Sequence, residues 1–143
     1  MGKQAELEKR LSAHLERWPK TVREAYQWLE KQGAGEQDAV RVIELLVETG
    51  ALDDVLYARL FVEGHRGWGP LRLRQELRRR GIPDTEISGA IEEAHDPGVM
   101  GEMIRDWRIA GIDDRRIAGR LIRRGFSPGE VFGALRLSCP GGK

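Results

Sequence analysis

The feature that most constrains this chain is that it repeats itself. Leu77-Arg78-Arg79-Arg80-Gly81-Ile82 aligns with Leu121-Ile122-Arg123-Arg124-Gly125-Phe126 at an offset of 44 residues. The match extends upstream to Arg72-Leu73 on Arg116-Ile117, and downstream to Glu86 on Glu130, Ile87 on Val131, Gly89 on Gly133, Ala90 on Ala134 and Ile91 on Leu135. The first third fits more loosely at an offset of 48, with Leu29 on Leu77, Gly33 on Gly81, Ala39 on Ile87 and Ile43 on Ile91. Self-similarity at this spacing marks a tandem array, in which each unit is too small to bury its apolar face alone and leans on its neighbour.

The repeated unit is helical. Thr21-Val22-Arg23-Glu24 is a capping box, and the helix it opens runs to Gly33. Val40, Ile43, Leu46 and Val47 keep helical spacing and stop at Gly50. Asp53 or Asp54 caps a helix carrying Leu56, Leu60 and Phe61 that ends near Gly67, and Pro70 in a first turn starts another that ends at Gly81. Pro83-Asp84-Thr85-Glu86 opens the next, halted at Asp96-Pro97. Helices over 98–110, 114–124 and 128–137 follow, the last behind a second box, Ser127-Pro128-Gly129-Glu130. One over 4–17, broken at Trp18-Pro19, completes nine. No segment sustains the period of two that strands need. The chain is therefore expected to be all-α, three tandem three-helix repeats over 1–50, 51–97 and 98–143 in an elongated, curved array. Gly89 and Gly133 fall in mid-helix, where glycine costs up to ~1 kcal/mol against alanine, and their recurrence predicts close helix–helix approach.

Composition narrows the function. With 33% charged and 40% apolar residues the 143-residue chain reads as globular. No stretch nears the ~18 apolar residues of a membrane span, and the first residues carry no signal-peptide core. A single Cys139 excludes an internal disulfide framework. The expected setting is the cytoplasm, and no membrane partner is expected. HExxH, CxxC, GxSxG and GxxxxGK[ST] are absent, and His14, His65 and His95 are scattered over three units. Asp53-Asp54 and Asp113-Asp114 are read as helix caps with first-turn charge. The chain is not read as an enzyme, and no catalytic residue, metal ligand or cofactor is expected.

Charge supplies the positive lead. Net charge is +1, yet Arg66 to Arg80 holds six arginines against Glu76, and Arg115 to Arg124 holds five with no acid. Residues 98–143 alone carry +4. On the helix from Pro70, Leu73 and Leu77 face the core, which sets Arg72 and Arg79 on one flank and Arg74 and Arg78 on the other. On the later helix, Ile117 and Leu121 take the core positions, and Arg116, Arg120 and Arg123 form a stripe on the flank matching Arg72 and Arg79. The first unit has Glu24, Trp28 and Lys31 there. Arginine in place of lysine favours bidentate contact with carboxylate or phosphate. The candidate partner-binding residues are Arg66, Arg72, Arg74, Arg79, Arg116, Arg120 and Arg123. Trp68, in Gly67-Trp68-Gly69-Pro70, either fills a gap between helices or docks on a partner.

Gly50-Ala51-Leu52-Asp53-Asp54, Tyr57-Ala58-Arg59, and Gly67-Trp68-Gly69-Pro70 followed by Arg72-Leu73-Arg74-Gln75-Glu76-Leu77 and Gly81-Ile82 resemble the central motif of the RecX family. The resemblance is dense over 50–82. It implies an all-helical protein of three repeats that lies in the groove of the RecA–DNA filament, bridges protomers, and limits filament growth, ATP hydrolysis, strand exchange and co-protease action. It also implies direct DNA binding in some members and no enzymatic activity. The motif itself reads as structural: Leu52, Ala58, Leu73 and Leu77 pack, Asp53 caps and Gly81 ends a helix. A three-helix unit is about 20 Å across, so three in line reach roughly 60 Å, and weak patches on successive units add through effective concentration. The expected partner is the RecA filament, engaged by a monomer, with single- or double-stranded DNA as the alternative target of the arginines.

Overall fold

The computed structural model describes residues 2–136. Among them are nine helices and no strand: α1 (Gly2–Arg17), α2 (Val22–Lys31), α3 (Glu36–Glu48), α4 (Asp54–Gly64), α5 (Pro70–Arg79), α6 (Asp84–Ala94), α7 (Val99–Ile109), α8 (Asp114–Arg123) and α9 (Pro128–Leu135). Cys139 and the expected end of the last helix at 137 lie outside the described residues. No helix among the described residues is long and apolar enough to cross a membrane.

Local chemistry starts and stops these helices where expected. The Thr21 hydroxyl accepts from the Glu24 amide at 3.2 Å, and the Glu24 carboxylate accepts from the Thr21 amide at 3.1 Å, a complete capping box. The second box is half-built. Ser127 accepts from the Glu130 amide, but the Glu130 carboxylate takes the Ser127 hydroxyl at 3.1 Å instead of the cap amide. Gly81 and Gly125 sit at φ +88° and +100°, a region that glycine enters without steric penalty. In each turn the following amide, Ile82 or Phe126, donates to a carbonyl five residues back, on Leu77 or Leu121. Ala34 and Ile112 close identical turns onto Leu29 and Trp107.

Three apolar cores follow in chain order. The first joins Leu7, Leu11, Ala25, Leu29, Val42, Ile43 and Leu46. Leu52 also belongs to it, so the packing of the first unit runs past residue 50. The second holds Ala58, Val62, Leu73, Leu77, Ile82, Ile87 and Ala90. The third holds Val99, Ile104, Ile117, Leu121, Phe126, Val131, Phe132 and Leu135. Leu73, Leu77, Ile117 and Leu121 are fully buried, which fixes the helix phases of α5 and α8.

The expected close approach at Gly89 and Gly133 fails, and Leu56 and Leu60, which mark α4 in the sequence, do not face the core. They are 40% and 54% exposed, while the smaller Ala58 and Val62 point inward. The large apolar pair yields because α4 packs on α6 through a core containing Ala58 and Ala90, and small side chains there allow close helix approach. Gly89 and Gly133 are not contact points either. A Cβ on either would meet nothing within 4 Å.

The units join end to end through their second helices. At the first seam the Thr21 hydroxyl, itself fully buried, donates to the Arg80 carbonyl at 2.6 Å. The Val22 amide donates to Asp54 Oδ1 at 2.9 Å, and burial pushes the Asp54 carboxyl above its ordinary pKa. At the second seam the Gly69 and Leu71 amides donate to the carbonyls of Arg124 and Gly125 at 2.8 and 3.0 Å. The C-terminal end of α8 thus supplies acceptors to the start of α5, and the end of α5 does the same for α2. Carbonyls that a helix end leaves free are satisfied by two helix-start amides at the second seam and by the Thr21 hydroxyl at the first. The contact is tight enough that a Cβ on Gly69 would overlap the Gly125 backbone, and one on Gly125 would overlap Arg72.

Candidate partner-binding site

The seven candidate arginines share a residue type but not a situation. Arg66, just past α4, places Nη2 2.6 Å from both Asp96 and Glu102. Because Glu102 is on α7, this is a clamp across the second seam. The Gly98 amide, followed by Arg66, holds the Asp96 carboxyl below its ordinary pKa.

Arg72 lies flat on Trp68, with Cζ 3.8 Å from the ring centre. The same indole packs on His65 at 4.1 Å and Phe61 at 5.8 Å, so Trp68 is a packing residue holding a cation. Arg74 donates to Ser88 on α6 at 3.1 Å. Arg79 reaches Glu76 at 3.2 Å and remains 72% exposed. Glu76 also holds Arg80 at 3.0 Å, and that hydrogen bond is the main reason its carboxyl titrates below the ordinary range. Arg78 is bound by Asp84 at 2.7 Å, which lowers the Asp84 pKa in turn. The arginines of α5 are therefore mostly engaged within their own unit or at its seams.

Those of α8 are open. Arg116 is 80% exposed and has only a 3.6 Å approach to Asp113, whose carboxylate also caps the helix by accepting from the Arg116 amide at 3.0 Å. Arg120 has no carboxylate within 4 Å among the described residues and leans over Trp107, with Cζ 5.3 Å from the ring centre. Arg124 lies 5.4 Å from the same ring, so two guanidiniums share one indole. Arg123 is exposed, and none of the described carboxylates pairs with it. Arg116, Arg120 and Arg123 are thus one turn apart along an exposed face, with Trp107 beneath its middle. Arg124 and Trp107 escaped the sequence reading because Trp107 comes from α7, and no local spacing links it to α8.

The histidines offer no chemistry in common. His14 stacks on Trp28 at 4.9 Å, and burial lowers its pKa. His65 Nδ1 sits 2.8 Å from the Phe61 carbonyl. His95 Nε2 is buried beside the Phe126 ring without a partner among the described residues. Among the described residues no three His, Cys, Asp or Glu side chains gather as a metal site.

A family model described as RecX, second three-helix domain, matches residues 53–91, the span of α4 to α6. The chain is 39% identical over 129 residues to the regulatory protein RecX of Halorhodospira halophila, covering 84% of this chain and 80% of that protein. It is 32% identical over 130 residues to the regulatory protein RecX of Mycobacterium sp. (strain JLS), covering 79% and 70%. The namesake from Lactobacillus delbrueckii subsp. bulgaricus (strain ATCC BAA-365 / Lb-18) is 30% identical over 126 residues, and the match spans only 46% of it. In fold, the crystal structure of RecX from Lactobacillus salivarius superposes with a TM-score of 0.81 at 17% identity, over 95% of this chain and 97% of that one. With a fold of this kind, and with relatives that are regulatory proteins rather than enzymes, the chain belongs to the RecX family.

Proposed function

We propose that the protein binds the RecA–DNA filament and modulates it, inhibiting filament growth and with it ATP hydrolysis, strand exchange and co-protease action. The observation that carries this reading is the open arginine face of α8, held on a unit that is joined end to end with two others. Family membership supports the identity of the target. The geometry supports the manner of contact: exposed guanidiniums, Arg120 and Arg123 without a described carboxylate partner and Arg116 with only a long approach to Asp113, are available to carboxylates on a protein surface. Arg79 adds to this face, whereas Arg66, Arg72 and Arg74 contribute by holding the second unit and its seams in place. This reading takes the protein as a cytoplasmic monomer, in an elongated, curved array of repeats 1–50, 51–97 and 98–143.

The test is RecA-dependent ATP hydrolysis on single-stranded DNA with increasing amounts of the protein. The expected result is a dose-dependent fall, weakened by combined Arg79, Arg116, Arg120 and Arg123 changes to Ala. Changes at Arg10, Arg17 and Arg41 should leave it intact. Unchanged hydrolysis at saturating protein would sink the proposal.

DNA binding through the same arginines is the second reading, favoured by the absence of carboxylate partners for Arg120 and Arg123 among the described residues. It predicts log K falling with log salt at a slope near −0.9 per contacted phosphate on duplex DNA and about −0.7 on single strands. Binding to bare single-stranded DNA as tight as binding to the filament would make it the primary activity.

A further inference from the structure

Helix α4 is apolar on two sides. Ala58 and Val62 enter the second core, while Leu56 and Leu60, one turn apart, face outward at 40% and 54% exposure. A helix apolar all round is normally buried all round. This one leaves its outer face over a hollow of about 120 Å³ between α1 and α4, lined by Leu15, Pro19, Ala51, Leu56, Tyr57 and Leu60. The Trp18-Pro19-Lys20 turn separates it from a second hollow of about 430 Å³, with Lys20 and Tyr57 lining both. Trp18, on the edge of this pair, is 58% exposed.

We propose that this paired hollow is a docking site for a protein segment with one or two large aliphatic or aromatic side chains followed by a run of carboxylates. The size of the first hollow favours a side-chain anchor, because sites for whole small molecules run ~300–1,000 Å³. Exposed tryptophan beside leucine is the composition of interface hot spots.

The charge pattern supplies the acidic half of the description. Glu24 and Asp53 also border the hollows, but both are bound to helix starts, accepting from the Thr21 and Leu56 amides at 3.1 Å each. There the helix dipole compensates their charge. Arg80 is neutralised by Glu76. Lys20 and Lys31, both in the larger hollow, have no carboxylate within 4 Å among the described residues and are the cations left for a partner. Lys20 stands between the two hollows and Lys31 lines only the larger one, so a bound segment would run from apolar anchor to acidic tail. A lipid surface would be met better by a convex apolar ridge than by a recess with cations on one side. This surface lies on α1, α2 and α4, apart from the α8 arginines, and goes beyond the filament reading.

The experiment is fluorescence polarisation with a fluorescein-labelled peptide, Gly-Ser-Leu-Glu-Glu-Leu-Phe-Glu-Asp-Glu-Asp-Glu, and the full chain. Saturable binding is expected, weakened about tenfold or more by Leu56→Ser with Leu60→Ser, and also weakened by Lys20→Glu with Lys31→Glu. Both pairs are at the surface, and an unchanged melting curve verifies the fold. A peptide with its Leu and Phe replaced by Ser should not bind. No binding, equal binding of the anchorless peptide, or indifference to the leucine pair would overturn the proposal. So would Leu60-dependent cosedimentation with phosphatidylglycerol vesicles, which would assign the face to lipid. Leu60-dependent self-association in sedimentation velocity would assign it to a second copy and overturn the proposal equally.

Discussion

Helices α5 and α8 occupy equivalent places in successive units, have the same length, and bury leucine or isoleucine at the same two positions. Their arginines nevertheless meet opposite fates. In α5 they are held by Glu76, Asp84, Ser88 and Trp68. In α8 the residue aligned with Glu76 is Arg120, and the one aligned with Asp84 is Pro128. Two exchanges remove the acids that tie down the earlier helix, and a brace becomes an open cationic face. Repetition of a sequence motif therefore preserves the packing of a unit while leaving its surface free to diverge.

The comparison can be broken most forcefully at the core. Leu77→Ala and Leu121→Ala should each destabilise by about 2–5 kcal/mol in urea denaturation, because both leucines are fully buried. A large cost in one helix and none in the other would show that the units are not equivalent scaffolds.

A smaller effect separates the arginines. Arg72→Ala should cost about 0.5–2 kcal/mol through loss of the contact with Trp68. Arg116→Ala should fall within about 0.5 kcal/mol of the parent. Equal melting temperatures for the two variants would erase the distinction between brace and open face.

Acid sharpens the same contrast. The Glu76 pKa is lower in the folded protein than its ordinary value, chiefly through the hydrogen bond from Arg80. Its contribution to stability is therefore complete above that ordinary value and is lost as pH falls through the depressed one. Glu76→Gln should flatten the acid limb of a stability-versus-pH curve, while Arg120→Gln should leave that limb unchanged.

The smallest effect runs the other way. Gly89→Ala should stabilise by up to ~1 kcal/mol, since it is mid-helix with open space at Cβ, and Gly133→Ala, in the last turn of α9 with equally open space, should gain less. A loss of stability on thermal unfolding would restore a packing role to these positions.

Much of this was legible in the sequence because it depends on neighbours along the chain. The Thr21–Glu24 box, the Asp53 and Asp113 caps, and the glycine turns at 81 and 125 each close within a few residues. The phases of α5 and α8 followed from apolar spacing. The faces of α4 did not, because Leu56/Leu60 and Ala58/Val62 both recur every four residues, and only packing on α6 chooses between them. The engagement of Arg66 was equally hidden, since Asp96 and Glu102 are 30 and 36 residues away. Trp107 met Arg120 and Arg124 by the same kind of distant contact. Residue type marked where cations cluster, and tertiary structure decided which of them remain open.

The cap of α8 differs in kind from the starts of α5 and α2. A threonine hydroxyl or a glycine amide has a proton to offer to an incoming carbonyl, and Thr21 and Gly69 each offer one. The Asp113 carboxylate is an acceptor turned onto its own helix, taking the Arg116 amide at 3.0 Å. Among the described residues no helix-end carbonyl accepts from the start of α8, so its cap is closed within its own first turn.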